Sequence, residues 1–145
     1  MNATSHNNVH DLGEILIIDD DEQFATSIRE LLLGLGYGAS IALNGGAALA
    51  QLDRAPISVA LIDYRLGHDS SLQLLQSIQA KAPHVVCVML TALASAEVAV
   101  EALRLGAFDL LQKPITPEDL QTALGRWFKR SNSRTVTPAR ALVAN

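Results

Sequence analysis

Five polar residues that could bind a metal ion and a phosphoryl group lie at the ends of four apolar runs of the sequence: Asp19, Asp20, Asp63, Thr91 and Lys113. Neighbouring carboxylates raise one another's pKa unless a cation neutralises them. Carboxylate oxygens suit a hard ion such as Mg²⁺, which uses few protein ligands and keeps some waters. A carboxylate beside such an ion can attack phosphorus and form an acyl phosphate. The set therefore predicts a phosphoryl site with Asp63 as nucleophile, Lys113 supplying positive charge and Thr91 a hydroxyl donor.

Each of these residues also has an ordinary structural explanation when it is taken alone. Asp20 and Asp21 suit the positive N-terminal end of a following helix, and we assign Asp21 to that capping role. Asp63 and Thr91 could simply end strands, and Lys113 could be a surface residue. The chemical interpretation depends on these residue types occurring together, each at the end of an apolar run.

Apolar runs and helical stripes alternate along the chain from Glu14 onwards. The runs predict strands at about 14–19, 38–43, 57–62, 84–90 and 108–112. The stripes predict helices at about 22–35, 46–53, 70–81, 95–105 and 116–130, the last with Thr116 as N-cap and Pro117 at its first position. This alternation predicts an α/β fold with a parallel sheet covered on both faces. The loops after parallel strands meet at one edge of the sheet, so the polar residues are predicted to converge there.

Length and composition favour one folded domain. With 145 residues, 49% of them hydrophobic, the chain can bury a core. We assign residues 14–130 to the domain and residues 1–13 to a flexible, polar N-terminal extension. Residues 131–145 show no periodicity, which predicts a linker or loose C-terminal tail.

Charge and cysteine content argue against several classes of function. The net charge is −4, and the basic residues after Asp119 show no nucleic-acid-binding motif. Trp127 and Phe128, which lie among them, are interpreted as packing residues, so we expect no direct nucleic-acid binding. The single Cys87 excludes an internal disulfide and lies in an apolar run, which predicts a buried, inert thiol. No apolar stretch approaches the ~20 residues of a membrane span, and the N-terminus lacks a signal-peptide pattern. A cytoplasmic location without membrane contact is expected.

Four stretches, in their order and spacing, resemble the receiver domain of bacterial response regulators: ILIIDDDE, LIDYRL, VMLTA and LLQKPI. The resemblance covers about residues 14–130. It implies a CheY-like fold, which is a flavodoxin-like, doubly wound (βα)5 sheet with strand order 2-1-3-4-5. It also implies Mg²⁺ as cofactor and a signalling role. Such a domain is no separate enzyme and assists only its own phosphorylation and dephosphorylation.

The resemblance assigns roles to the acidic residues. Asp63 corresponds to the phosphoacceptor. Asp20 corresponds to a direct metal ligand, while Asp19 would act largely through water. The backbone carbonyl of Arg65, two residues past the acceptor, corresponds to a further metal ligand.

The resemblance also implies a mechanism and partners. Lys113 corresponds to the phosphate-binding lysine, and its bond to Pro114 is commonly cis in the family. A sensor histidine kinase or phosphotransfer protein would pass its phosphoryl group in line to Asp63. Thr91 corresponds to the switch hydroxyl that moves inward and biases the surface of the fourth helix, fifth strand and fifth helix. That surface would contact an output domain, such as a transcription activator, or a second copy of the chain.

The sequence departs from the family pattern near the site. Leu110 stands three residues before Lys113, where the family usually has Tyr or Phe coupling the site to the output surface; Phe108 is near but not at the matching position. Gly67 and Ser71 replace the usual Pro and Gly after the acceptor, so we expect an altered loop. These departures keep open an alternative, a receiver-fold interaction module that works without phosphorylation.

Two enzyme classes fit the sequence poorly. An Asp-nucleophile phosphohydrolase needs a second acid two residues after the nucleophile, and the chain has Arg65 at that position. A nucleotide-binding oxidoreductase needs a glycine fingerprint after its first strand. Acidic residues occupy positions 19–22 instead.

Overall fold

The computed structural model describes residues 13–67, 69–92 and 95–144, with side chains described up to position 132. The predicted N-terminal extension, 1–13, therefore lies outside the described residues except for Gly13. Its backbone carbonyl accepts a hydrogen bond from the Gly38 N–H at 2.8 Å. None of the helices within these ranges is long and apolar enough to cross a membrane.

A sheet of five parallel strands forms the centre of the domain. Its strands are β1 (Glu14–Ile18), β2 (Gly38–Ala42), β3 (Val59–Asp63), β4 (Val86–Thr91) and β5 (Asp109–Gln112). Their spatial order is β2-β1-β3-β4-β5. The predicted α/β class and the order 2-1-3-4-5 are therefore confirmed. Two further strands of two residues each, Arg65–Leu66 and Asp69–Ser70, form a separate antiparallel pair.

Five helices connect and follow the strands of the main sheet. They are α1 (Glu22–Gly34), α2 (Gly45–Arg54), α3 (Ser71–Lys81), α4 (Ala96–Arg104) and α5 (Pro117–Ala144). Asp21 caps α1 by accepting the Phe24 N–H at 3.2 Å, and Thr116 accepts the Asp119 N–H at 3.0 Å beside Pro117. Both predicted caps are confirmed, because a short polar side chain satisfies an N–H that has no partner within its helix.

The sheet separates two hydrophobic clusters. Side chains alternate between the two faces of a strand. Ile15 and Ile17 of β1 therefore join the cluster formed with the two helices α1 and α5, which we call the α1–α5 cluster. Leu16 and Ile18 join the cluster formed with α2, α3 and α4 on the other face, which we call the α2–α4 cluster. All four side chains are fully buried. Burial on both faces explains why the strands read as continuous apolar runs rather than as alternating ones.

The last helix ends later than predicted. The expected end was about Arg130, but α5 continues to Ala144. Ser131 and Asn132 are weak helix formers, yet each costs only about 0.5 kcal/mol relative to Ala, and extending an existing helix is far easier than starting one. Ser131 is also buried. The prediction of an irregular segment was therefore wrong in its secondary structure, while the role of residues 131–145 as a linker stays a prediction.

Asp109 anchors α5 to the sheet. Its carboxylate accepts hydrogen bonds from the Trp127 indole N–H at 2.9 Å and from Arg126, and Trp127 is fully buried. Asp109→Ala would leave the buried indole N–H without this acceptor, so we expect the free energy of unfolding to fall by about 1–2 kcal/mol. Asp109→Asn keeps an acceptor oxygen and should lose less than half as much. Urea unfolding of the three proteins measures both effects, and equal losses in the two variants would contradict this account.

Candidate functional site

The predicted polar residues meet at the edge of the sheet where the strands end. Asp19 directly follows β1, Asp63 and Thr91 end β3 and β4, and Lys113 follows β5. Backbone hydrogen bonds hold the ends of neighbouring strands in register. The Tyr64 N–H donates to the Leu90 carbonyl at 2.7 Å, and the Lys113 N–H donates to the Thr91 carbonyl, also at 2.7 Å. The sheet therefore fixes the site's backbone before any side chain contributes.

Three carboxylates form a compact cluster at this edge. One oxygen from each of Asp19, Asp20 and Asp63 lies within 4.8 Å of the others. Asp19 and Asp63 are buried, whereas Asp20 is exposed. Across the part of the chain that the structure describes, the Asp20 carboxylate has neither an ion pair nor a hydrogen bond.

Lys113 bridges the two buried carboxylates. Its Nζ lies 3.0 Å from Asp19 Oδ2 and 3.1 Å from Asp63 Oδ1. Among the described residues, no other ion pair reaches the cluster. Three ionised carboxylates and one ammonium leave a net charge of −2, which suits a divalent cation. The all-oxygen donor set, with one carboxylate facing solvent, fits Mg²⁺.

Burial and charge shift the pKa of Asp63 upwards. Loss of solvation is the main cause, and the neighbouring Asp19 charge adds to it. Hydrogen bonds and charge from Lys113, together with the Arg65 backbone N–H, oppose the increase without cancelling it. For Lys113, burial lowers the pKa, but its bonds and charge interactions with Asp19 and Asp63 outweigh burial and leave the pKa raised. The ammonium form of Lys113 is therefore favoured, whereas the ionised form of Asp63 is disfavoured in the folded protein.

Without Mg²⁺, Asp63→Asn is expected to raise the free energy of unfolding near neutral pH. Because the folded pKa of Asp63 is raised, its contribution to stability is complete below the ordinary value of 3.8. That contribution is lost as the pH rises through the folded pKa. The neutral Asn avoids the loss, so the two proteins should converge as the pH falls towards 3.8. Urea unfolding across this range tests the sign, and a variant less stable than the wild type at neutral pH would contradict it.

The loop after the acceptor forms a short antiparallel hairpin, and its difference from the usual family pattern stays a prediction. Gly67 adopts a φ of +61° within the hairpin formed by Arg65–Leu66 and Asp69–Ser70, a conformation that glycine adopts without strain. The Ser71 hydroxyl donates to the Tyr64 carbonyl at 2.7 Å. The Asp69 carboxylate accepts the Gly45 N–H at 2.8 Å and so ties the hairpin to the start of α2. Sequence reasoning missed both contacts.

The predicted switch residues Thr91 and Leu110 lie in β4 and β5. Thr91 is buried at the end of β4. Leu110 packs into the cluster on the α2–α4 face, whereas Phe108 belongs to the α1–α5 cluster. Phe108 therefore does not supply the aromatic ring that the family usually places at position 110. The Lys113–Pro114 bond is cis, and the role of the Arg65 carbonyl as a metal ligand stays a prediction.

Phe24 is a neighbour of the site that the sequence did not single out. Its ring centroid lies 4.0 Å from Lys113 Nζ, within the range of a cation–π contact. The helical stripe of α1 hides this contact, because an apolar residue in the first turn looks like any other packing residue. Its position three residues after the N-cap, at the edge where the acids lie, was the available signal.

Comparison with known proteins decides the family. The model of the response regulator receiver domain matches residues 15–125. The chain belongs to the response regulator receiver family. It is a receiver domain of the kind found in two-component response regulators, as the sequence predicted.

Curated and solved relatives agree with this assignment. The transcriptional regulatory protein ZraR of Escherichia coli (strain K12) is 36% identical over 124 residues, which cover 86% of this chain but only 28% of ZraR. A CheY-like receiver domain protein from Methanospirillum hungatei JF-1 matches with a TM-score of 0.78 and 30% identity, covering 83% of this chain and 97% of its own. A Burkholderia pseudomallei response regulator, solved with a phosphorylated aspartic acid, calcium ion and citrate, matches with a TM-score of 0.73 and 29% identity. That match covers 92% of this chain and 75% of the regulator.

Proposed function

We propose that Asp63 accepts a phosphoryl group from a phosphohistidine of a sensor histidine kinase or phosphotransfer protein. The observation that carries this proposal is the ammonium of Lys113 held 3.1 Å from Asp63 within a cluster of three carboxylates. Such a cluster can hold a divalent cation, and Lys113 can serve the oxygens of an incoming phosphoryl group. The phosphorylated aspartic acid of the Burkholderia relative supports the same chemistry.

The reaction needs little more from the protein than position and charge. One Asp63 carboxylate oxygen attacks phosphorus as the P–N bond to the donor histidine breaks, and the electron pair of that bond stays on the imidazole. The Lys113 ammonium donates to the phosphoryl oxygens and offsets their charge. Asp19, Asp20 and Asp63 would hold Mg²⁺, with the Arg65 carbonyl as a further ligand. When bound, Mg²⁺ supplies positive charge to the phosphoryl group.

The proposed readout is a change at the surface formed by α4, β5 and α5, which we call the output face. The Thr91 hydroxyl would turn towards the new phosphoryl group, because that group offers acceptor oxygens that the free carboxylate lacks. Val100 and Leu103 of α4 are 62% and 50% exposed on this helix, which suits contact with an output domain or a second copy. Because ZraR is a transcriptional regulatory protein of which this chain matches 28%, we infer a role in a longer transcriptional regulator.

A second candidate function is docking without phosphorylation. Leu110 favours it, because its aliphatic side chain packs against the α2–α4 cluster where the family usually has an aromatic residue. The coupling between phosphorylation of Asp63 and the conformation of the output face would then be weak. The intact set of carboxylates and Lys113 favours the phosphoacceptor.

Intact-mass spectrometry after incubation with a small-molecule phosphodonor, with and without Mg²⁺, tests the proposal. We expect a single phosphoryl adduct that depends on Mg²⁺ and is absent from Asp63→Asn. Asp69→Asn is a matched control, because Asp69 is an exposed acid nearby that lies outside the carboxylate cluster, and it should retain the adduct. Absence of the adduct from the wild type, even with a cognate phosphorylated kinase, would favour the docking module.

A further inference from the structure

The face of the Lys113 ammonium that is not turned to the carboxylates lies against an aromatic ring. Phe24, in the first turn of α1, places its ring centroid 4.0 Å from Lys113 Nζ. The ring is partly buried and packs against the α1–α5 cluster. Asp19 and Asp63 contact the same nitrogen at 3.0 and 3.1 Å. Three groups from three different segments therefore hold one ammonium.

Two of these three contacts would change during phosphoryl transfer, Asp63 when it is phosphorylated and Asp19 when a metal ion binds, and the contact with Phe24 would not. Phosphorylation converts the Asp63 carboxylate into a neutral acyl ester oxygen, and the negative charge then lies on the oxygens of the attached phosphoryl group. A metal ion held by Asp19 and Asp63 would also draw on the charge of these two carboxylates. The attraction between an ammonium and the face of a ring depends on neither carboxylate. Lysine has a flexible four-carbon stem, whereas the Phe24 ring is fixed by packing.

We propose that Phe24 is a positioning residue for phosphoryl transfer, whose ring face holds the Lys113 ammonium beside Asp63 while the charges around it rearrange. This inference rests on the proposed function of Asp63. The ring keeps the lysine from swinging into solvent and covers one side of the ammonium without competing for its N–H donors. Those donors stay available for the phosphoryl oxygens. Phe24 touches no reacting atom and acts only through Lys113.

The competing explanation is that Phe24 merely fills space at the start of α1. Truncation cannot separate the two explanations, because Phe24→Leu removes both the ring and part of the packing. Fluorination can separate them. Successive fluorine atoms on the ring withdraw electron density from its face and weaken cation binding, while the shape of the side chain changes little.

The test places mono-, di- and trifluorophenylalanine at position 24 and measures the rate of adduct formation with a small phosphodonor and Mg²⁺. We expect the rate to fall stepwise with each fluorine, and Phe24→Leu to be slower than the wild type by about 2- to 30-fold. Phe24→Tyr keeps an electron-rich ring and should stay within about twofold of the wild type. The same fluorinated series at Phe128, whose ring packs on Tyr37 at 4.9 Å, is the matched control and should leave the rate unchanged.

A spectroscopic measurement checks the contact without any phosphodonor or metal. In the wild type, the ring current of Phe24 should shift the proton resonances of the Lys113 methylene next to Nζ upfield, and Phe24→Leu should remove that shift. Adduct formation at one rate across the fluorinated series at position 24 would overturn the positioning role while leaving the proposed function intact. A wild type that forms no adduct would overturn both, and the upfield shift would then report a structural contact alone.

Discussion

Replacing Lys113 with methionine is expected to lower the free energy of unfolding by about 2–3 kcal/mol when Mg²⁺ is absent. Removing one partner of a buried ion pair costs about 3–5 kcal/mol. The Lys113 side chain is 19% exposed, so solvent relieves part of that cost, but its partner Asp19 is fully buried. The variant leaves Asp19 and Asp63 close together without their shared counter-charge. Urea unfolding in the presence of a chelator measures the loss.

Lys81→Met is the matched control for Lys113→Met. Lys81 pairs with Asp53 at 2.9 Å, but the two side chains are 39% and 66% exposed, and exposed pairs contribute about 0–1 kcal/mol. Added Mg²⁺ should stabilise Lys113→Met more than the wild type, because the ion replaces the lost positive charge. Similar losses in the two variants, or no greater response to Mg²⁺, would contradict the proposed role of Lys113.

Asp20→Asn is expected to weaken Mg²⁺ binding by at least about tenfold, since even residues that only orient metal ligands contribute 10- to 100-fold to affinity. Without Mg²⁺, the substitution should leave stability nearly unchanged or slightly raise it. The reason is that the exposed Asp20 carboxylate adds charge to the cluster and gains no ion pair or hydrogen bond among the described residues. Calorimetric titration with Mg²⁺ gives the affinity, and urea unfolding gives the stability.

Asp21→Asn separates a metal ligand from a nearby acid. Asp21 is adjacent in sequence and also exposed, but its carboxylate caps α1 through the Phe24 N–H. Asn is as good an N-cap as Asp, so the fold should be retained. The affinity for Mg²⁺ should stay within about twofold of that of the wild type. An equal loss of Mg²⁺ affinity in the two variants would show that general negative charge, rather than coordination by Asp20, attracts the ion.

The part of the fold and site that could be predicted depends on short-range patterns. Strands buried on both faces give continuous apolar runs, so the strand ends, and with them Asp19, Asp63 and Thr91, could be placed at one edge. The strand order was implied by the family resemblance rather than by any pattern in the runs. The end of α5 was missed, because helix cooperativity carries the backbone through residues such as Ser131 that are weak helix formers but not helix breakers.

Individual side-chain contacts between distant segments could not be predicted from the sequence. The bond from Gly45 to Asp69 joins the start of α2 to the hairpin after the acceptor, and the contact of Phe24 with Lys113 joins α1 to the segment that follows β5. Neither leaves a periodic signal, because each depends on how loops of particular lengths close over the finished sheet. The proximity of Asp19 and Lys113, which are 94 residues apart, could be predicted because both follow strands of one parallel sheet.

The most direct test of the central claim is to locate the phosphoryl group on the chain. Borohydride reduces an aspartyl phosphate to homoserine, and peptide mass spectrometry then identifies the position. After treatment with a small phosphodonor and Mg²⁺, we expect homoserine at position 63 alone. Homoserine at Asp20 or another acidic residue, or at no position, would contradict the claim that Asp63 is the phosphoacceptor.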